Sequence, residues 1–270
     1  MIGYWHFTRA LYREYTGRHQ HVSIDLSESA RRAIRVFRVL LLLTAADERQ
    51  FTRSLGSFDD EELARYIIEF DACLFGIGIL WFRREDDGSE TLMGGSAVDL
   101  TPLDFGEDSS YQNVSEFIAA TMGLVGLRIL LAREGSTAPL GNVEMRGDSM
   151  AALTWTKTER FRSDLVGNAA AVFTLTSIDA ETQVSRMTHI AAEDNKRADT
   201  LSRMGKKSLA ETVRECEGLS ALLGDGMWLT LDATPWLDLC DPRRDIDGNG
   251  GSNFLRFWLE LKALLPSLLR

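Results

Sequence analysis

The stretch Tyr66-Ile-Ile-Glu-Phe-Asp-Ala-Cys-Leu-Phe-Gly-Ile-Gly-Ile-Leu-Trp-Phe82 decides how this chain is read. It is dense in β-branched and aromatic residues, which favour strands, and its interior glycines, Gly76 and Gly78, suit a tight turn and close packing better than a helix. The spacing predicts strands over 66–71 and 76–83. The turn Asp86-Asp87-Gly88-Ser89 then leads to a third strand over 90–98, giving an antiparallel meander. Asp71 is out of place in that setting, because an acid inside an apolar strand is costly unless it is paired or holds a cation.

Working outward, residues 99–111 read as a loop, in which 99–110 with Asp104, Glu107 and Asp108 looks like an acidic insertion, followed by a helix from Gln112 to Arg133. Its apolar positions Val114, Phe117, Ile118, Met122, Val125, Leu127, Leu130 and Leu131 fill one broad face. A short strand is expected over 142–146, helices over 149–157 and 164–178, a strand over 184–190 and a helix over 196–204. The order βββ-α-β-αα-β-α belongs to the α/β class with a mixed sheet. Residues 26–53 carry helical spacing as a lead-in. Beyond residue 205 come a helical stretch to about 223, a loop with Trp228, Pro235, Trp236 and Pro242, and an amphipathic helix over 254–265.

Composition narrows the classes. The chain has 270 residues, 44% hydrophobic and 26% charged, which excludes disordered, collagen-like and disulfide-scaffold proteins. The longest apolar run is read as Val39–Ala46, well short of the roughly 20 residues of a membrane helix. The first twenty residues have no apolar secretory region, although Arg9, Arg13 and Arg18 leave an organelle-targeting reading open. Cys73, Cys216 and Cys240 form no C-x-x-C pair and are odd in number, so an intracellular setting, cytoplasmic or nuclear, is expected. His19 and His21 lack further ligands for zinc. The net charge of −10 is unevenly spread: residues 59–110 hold fourteen acids against three bases, and residues 111–207 are nearly balanced. Bulk charge therefore decides nothing about a nucleic-acid partner.

Four carboxylates stand where this layout would bring them together. Asp71 ends the first strand, Glu116 lies on the first turn of the long helix, Asp148 follows the fourth strand, and Asp199 opens the last helix. Hard cations such as Mg²⁺ choose oxygen ligands. Two of them about 3.5–4 Å apart can activate water and stabilise the leaving oxygen of a phosphodiester. Each acid also has a plainer explanation. Glu116 and Asp199 would favour a helix dipole, and Asp148 would serve as an N-cap. Asp71 is the exception, with no plainer role to fill.

The runs Glu69-Phe-Asp-Ala-Cys-Leu-Phe-Gly-Ile-Gly78, Gln112-Asn-Val-Ser-Glu-Phe117, Arg146-Gly-Asp-Ser-Met-Ala-Ala-Leu-Thr154 and His189-Ile-Ala-Ala-Glu-Asp-Asn-Lys-Arg-Ala-Asp-Thr-Leu-Ser-Arg203 occur in the order found in type 1 ribonuclease H. They most resemble the ribonuclease H domain of retrotransposon reverse transcriptases, whose last run commonly ends in A-D-x-L-S-R. The resemblance covers about residues 65–205. It implies a ribonuclease H-like fold: a five-stranded mixed sheet, three antiparallel strands then parallel ones, flanked by helices. It also implies a two-metal endonuclease using Mg²⁺, with Mn²⁺ as a substitute, that cuts the RNA strand of an RNA/DNA hybrid. Asp71, Glu116, Asp148 and Asp199 would be the metal ligands, with Asp71 bridging both ions, and His189 would match the family's mobile histidine. Gln112 and Asn113 would place amides in the hybrid minor groove, where 2′-hydroxyls are displayed. Ser149, Trp155, Lys157, Arg160, Arg162 and Asn195 are further candidates for substrate contact.

The sequence departs from the family in places. The region between Asp148 and His189 is short, so the basic handle of some cellular members is not expected. Phe58-Asp59-Asp60 lacks the spacing of a polymerase Y-x-D-D, and no polymerase is read in this chain. Residues 1–60 resemble a polymerase-to-ribonuclease H connection, and residues 206–270 form an extension whose motifs are unread. A retroelement origin and a polymerase or other retroelement protein as partner follow from the resemblance, and no membrane partner is expected. The competing readings are a catalytically silent module of the same fold that binds nucleic acid or a protein, and a DNA-strand-transfer nuclease of the same superfamily. The Q-N-x-x-E helix and the A-D-x-L-S-R ending favour the hybrid enzyme over the latter.

Overall fold

A computed structural model describes residues 64–100, 110–156 other than 137 and 139, 164–180, 182–204 and 228–233, with positions 26, 30, 31 and 34 besides. Five strands, β1 (Tyr66–Cys73), β2 (Gly76–Arg84), β3 (Glu90–Asp99), β4 (Gly141–Gly147) and β5 (Thr182–His189), form one sheet in the order β3-β2-β1-β4-β5. β1 pairs antiparallel with β2, as β2 does with β3, whereas β1–β4 and β4–β5 are parallel. Helices α1 (Ser110–Arg133), α2 (Met150–Trp155), α3 (Asp164–Asp179) and α4 (Lys196–Ser202) complete the described elements. The expected order of elements is the observed one, and the mixed sheet is the ribonuclease H-like arrangement that the motifs imply.

The sheet separates two apolar layers of unequal size. On one face β1 and β2 present Ile68, Phe70, Ile79 and Trp81 to α1, on which α3 packs in turn. Trp81 sits beneath the middle of α1 and donates its Nε1 hydrogen to the Gly123 carbonyl at 2.7 Å. α1 is apolar nearly all round, as befits a core helix. Its segment Tyr111–Arg133 is long and apolar enough to cross a bilayer, longer than the expected Val39–Ala46 run, and 94% of its most apolar window is buried in the fold. On the other face, Ile67, Leu80, Phe82 and Leu201 make a small cluster under α4.

Residues 228–233 belong to this folded unit. Trp228 bridges Gly95 in parallel, the Leu229 N–H donates to the Gly95 carbonyl at 3.0 Å, and Trp228 packs against the small cluster. Leu229 and Ala233 join the main core. The unit therefore extends past residue 205, where the motifs stop. Most of the helical lead-in, and the helices expected over 206–223 and 254–265, lie outside the described residues.

Candidate metal centre

The register of the parallel pair brings two of the acids together. The β1–β4 ladder ends at Glu69 opposite Arg146. Asp71 and Asp148 each lie two residues further along, so they leave the ladder at the same end of the sheet. β1 continues to Cys73, so Asp71 is inside the strand rather than at its end. α1 begins at Ser110, which puts Glu116 on its second turn instead of its first. That removes the helix-dipole explanation, because the dipole acts within the first turn. The plain role for Asp148 also falls away: Ser149 is the N-cap of α2 and accepts a hydrogen bond from the Ala152 N–H at 3.2 Å.

Carboxylate oxygens of Asp71, Glu116 and Asp148 all lie within 4.8 Å of one another. Asp71 is 5% exposed and Glu116 4%. Burial, then the charges of Asp71 and Asp148, push the Glu116 carboxyl up to about 9. Burial also pushes Asp71 up to about 7, opposed by a hydrogen bond from Ser202 and reinforced by Asp148 and Asp199. Glu116 Oε2 has no hydrogen-bond partner among the described residues. Buried, mutually repelling carboxylates with an orphaned oxygen are the environment a hard cation relieves. The residues present therefore fit a divalent metal ion.

Asp199 stands apart from this trio. It lies in the first turn of α4, its side chain is 39% exposed, and Oδ1 accepts from Arg203 Nε at 2.7 Å. It still adds to the field on Asp71. His189 ends β5, exposed, with Nε2 3.1 Å from the Asp148 carbonyl. A carbonyl only accepts, so that bond assigns the proton to Nε2.

The candidates for substrate contact divide. Asn113 is exposed, three residues before Glu116 on α1. Gln112 instead turns inward: Nε2 donates to the Ala72 carbonyl and lies 3.5 Å from Glu116 Oε1. Trp155, half-buried, packs edge-on against Phe117 of the main core, at 5.8 Å between ring centroids. Asn195 is fully buried and donates Nδ2 to the Phe70 carbonyl at 3.2 Å. Asn195, given as a candidate for substrate contact, has no exposed area here and ties α4 to β1. Lys157, Arg160 and Arg162 lie outside the described residues.

Sequence reasoning passed over Ser202. Its Oγ lies 2.5 Å from Asp71 Oδ2. The signal was its place three residues after Asp199, on the helix already held to carry an acid of the site.

No family model matches the sequence, and no curated protein matches it. Among solved structures, the chain is similar to the RNase H1 from the halophilic archaeon Halobacterium salinarum NRC-1, at 18% identity and a TM-score of 0.34, over 52% of this chain and 95% of that one. It is also similar to Ydc2, the yeast mitochondrial Holliday junction resolvase, at 13% identity and a TM-score of 0.21, over 85% of this chain and 98% of that one. The fold assignment rests on strand order and direction, with two buried carboxylates and the half-buried Asp148 gathered at one end of that sheet.

Proposed function

We propose that this chain is a divalent-metal-dependent endonuclease that hydrolyses the RNA strand of RNA/DNA hybrids. The observation that carries the reading is the convergence of Asp71, Glu116 and Asp148 in a buried corner, with burial and mutual repulsion raising the carboxyls of Asp71 and Glu116. These three residues would hold a first Mg²⁺. Asp199, released from Arg203, would complete the shell of a second beside Asp71. Bound there, such ions lower the pKa of water and neutralise charge developing on a phosphodiester. The chain's own groups supply the rest. Gln112 holds the β1 backbone at Ala72 against α1. Asn113, exposed on the same helix, reaches a wide minor groove and its 2′-hydroxyls. His189, exposed beside Asp148, helps product leave.

The same reading takes the chain as derived from a retroelement reverse transcriptase and acting inside the cell. Phosphate contacts supply much of nucleic-acid affinity, and for a chain of net charge −10 a polymerase or other bound protein would add to them. One observation favours a catalytically silent binding module: Asp199 is already neutralised by Arg203. A hybrid labelled on its RNA strand, incubated with Mg²⁺, with EDTA and with the Asp71→Asn variant, separates the two. Metal-dependent cutting lost in Asp71→Asn supports the nuclease. A wild-type chain that binds the hybrid and leaves it intact supports the silent module.

A further inference from the structure

Resting on the metal-centre reading above, we propose that Ser202 is a positioning residue whose hydroxyl holds Asp71 in the orientation that takes a divalent cation. Ser202 is fully buried, Asp71 nearly so, and Oγ lies 2.5 Å from Oδ2. The hydroxyl has one proton and a second acceptor within reach, the Asp199 carbonyl at 2.8 Å. An ionised acceptor makes a hydrogen bond about twice as strong as a neutral one, so the proton goes to Asp71 when that carboxylate is charged.

Neither partner is free to move. At the start of α4, Asn195 is bonded to the Phe70 carbonyl, and at its end the Cys73 thiol donates to the Ser202 carbonyl at 3.2 Å. Two glycines of β2 let the helix backbone lie directly on the sheet. A Cβ on Gly78, the register partner of Asp71, would stand 2.1 Å from the Ala198 carbonyl oxygen, and one on Gly76 would stand 2.3 Å from that of Ser202. The strand bearing Asp71 and the helix bearing Ser202 are thus clamped together on both sides of the bond. Asp71 is kept from turning away from Glu116 and Asp148.

Removing a partner that orients a metal ligand typically weakens metal affinity or activity by about 10–100-fold. Calorimetric titration of the full chain with Mn²⁺ alone reads this without any nuclease assay. Ser202→Ala is expected to weaken Mn²⁺ binding about 10–100-fold. Ser202→Thr, which keeps the hydroxyl, restores most of the affinity. With hybrid present, the alanine variant loses kcat and requires more metal, while KM for hybrid stays constant. Should Ser202→Ala fail to fold, Ser202→Cys, a poorer donor of similar size, is read in its place with the same expected loss. Mn²⁺ affinity within twofold of wild type, equal losses in the alanine and threonine variants, or no Mn²⁺ binding by the wild-type chain would each overturn the proposal. A wild-type chain that binds Mn²⁺ yet leaves hybrids intact removes the hybrid reading only, and Ser202 is still judged on affinity.

Discussion

Two buried glutamates, Glu144 on β4 and Glu116 on α1, meet burial in opposite ways. Glu144 is 1% exposed. Burial works to raise its carboxyl, but hydrogen bonds from Arg146, Arg84 and Thr188 outweigh it and hold the group down at about 2. Arg146 is itself bonded to Glu90 at 2.8 and 2.7 Å, so the cluster is neutralised from within. Glu116 has only Gln112 and the backbone of Ala72 to oppose its burial, and its carboxyl stands near 9. A buried carboxylate with its own arginines holds the sheet together. One left facing two other acids needs a cation from outside. The missing counter-charge, more than the number of acids, marks the candidate site.

The contrast is broken most directly by removing each charge in turn. Glu116→Gln is expected to cost hybrid cleavage on the order of 10³-fold or more, because several kcal/mol of transition-state charge stabilisation depends on the metal shell. Its stability should change little; cleavage within tenfold of wild type would end the distinction. Glu144→Gln is expected to do the reverse. It leaves Arg84 and Arg146 facing a neutral amide and should cost about 3 kcal/mol in urea unfolding, with cleavage per folded molecule unchanged.

Stability against pH sharpens the comparison. Glu116 and Asp71 have carboxyls raised in the folded chain, from ordinary values of 4.5 and 3.8 to about 9 and 7. The folded state therefore holds their protons more tightly than the unfolded state. In EDTA, stability should fall as pH rises from about 5 through 9. Glu144 has the opposite sign: its contribution is present above 4.5 and is lost as pH falls through about 2. Melting scans in EDTA should show Tm declining between about pH 5 and 9, by about 2–4 °C for each kcal/mol lost, and Mg²⁺ should flatten that limb. A Tm that climbs over this range without metal would contradict burial and carboxylate repulsion as the cause of the raised Glu116 carboxyl. The smallest effect is expected at the exposed Asp199–Arg203 pair, one turn apart on one helix. Arg203→Ala should cost only about 0.3–0.5 kcal/mol in urea unfolding, and a loss above about 2 kcal/mol would mean that the pair is part of the clamp on α4.

Much of the site was legible because one strand carried both its chemistry and its packing. Asp71 inside an apolar run, followed by Gly76 and Gly78, announced a costly acid and a close backbone approach together. The helix with Glu116, the strand end before Asp148 and the helix of Asp199 followed from hydrophobic spacing. Other features depended on contacts that spacing does not encode. Asn195 read as a candidate for substrate contact, and the fold buries it with its amide bonded to the Phe70 carbonyl. Trp155 read as a candidate phosphate neighbour, and it packs on Phe117. Trp228, in a segment with no readable motif, covers the apolar cluster beneath α4.

The sequence by itself determined the order of strands and helices and which of them carry the acids, because periodicity and turn chemistry act within a few residues of one another. Only the tertiary structure decided which acids meet, which are neutralised by arginines, and which hydroxyl steadies Asp71. Asp71 and Ser202 are 131 residues apart in the chain. Burial and charge compensation arise between partners of that separation, so they are settled when the sheet register and the seat of α4 are set.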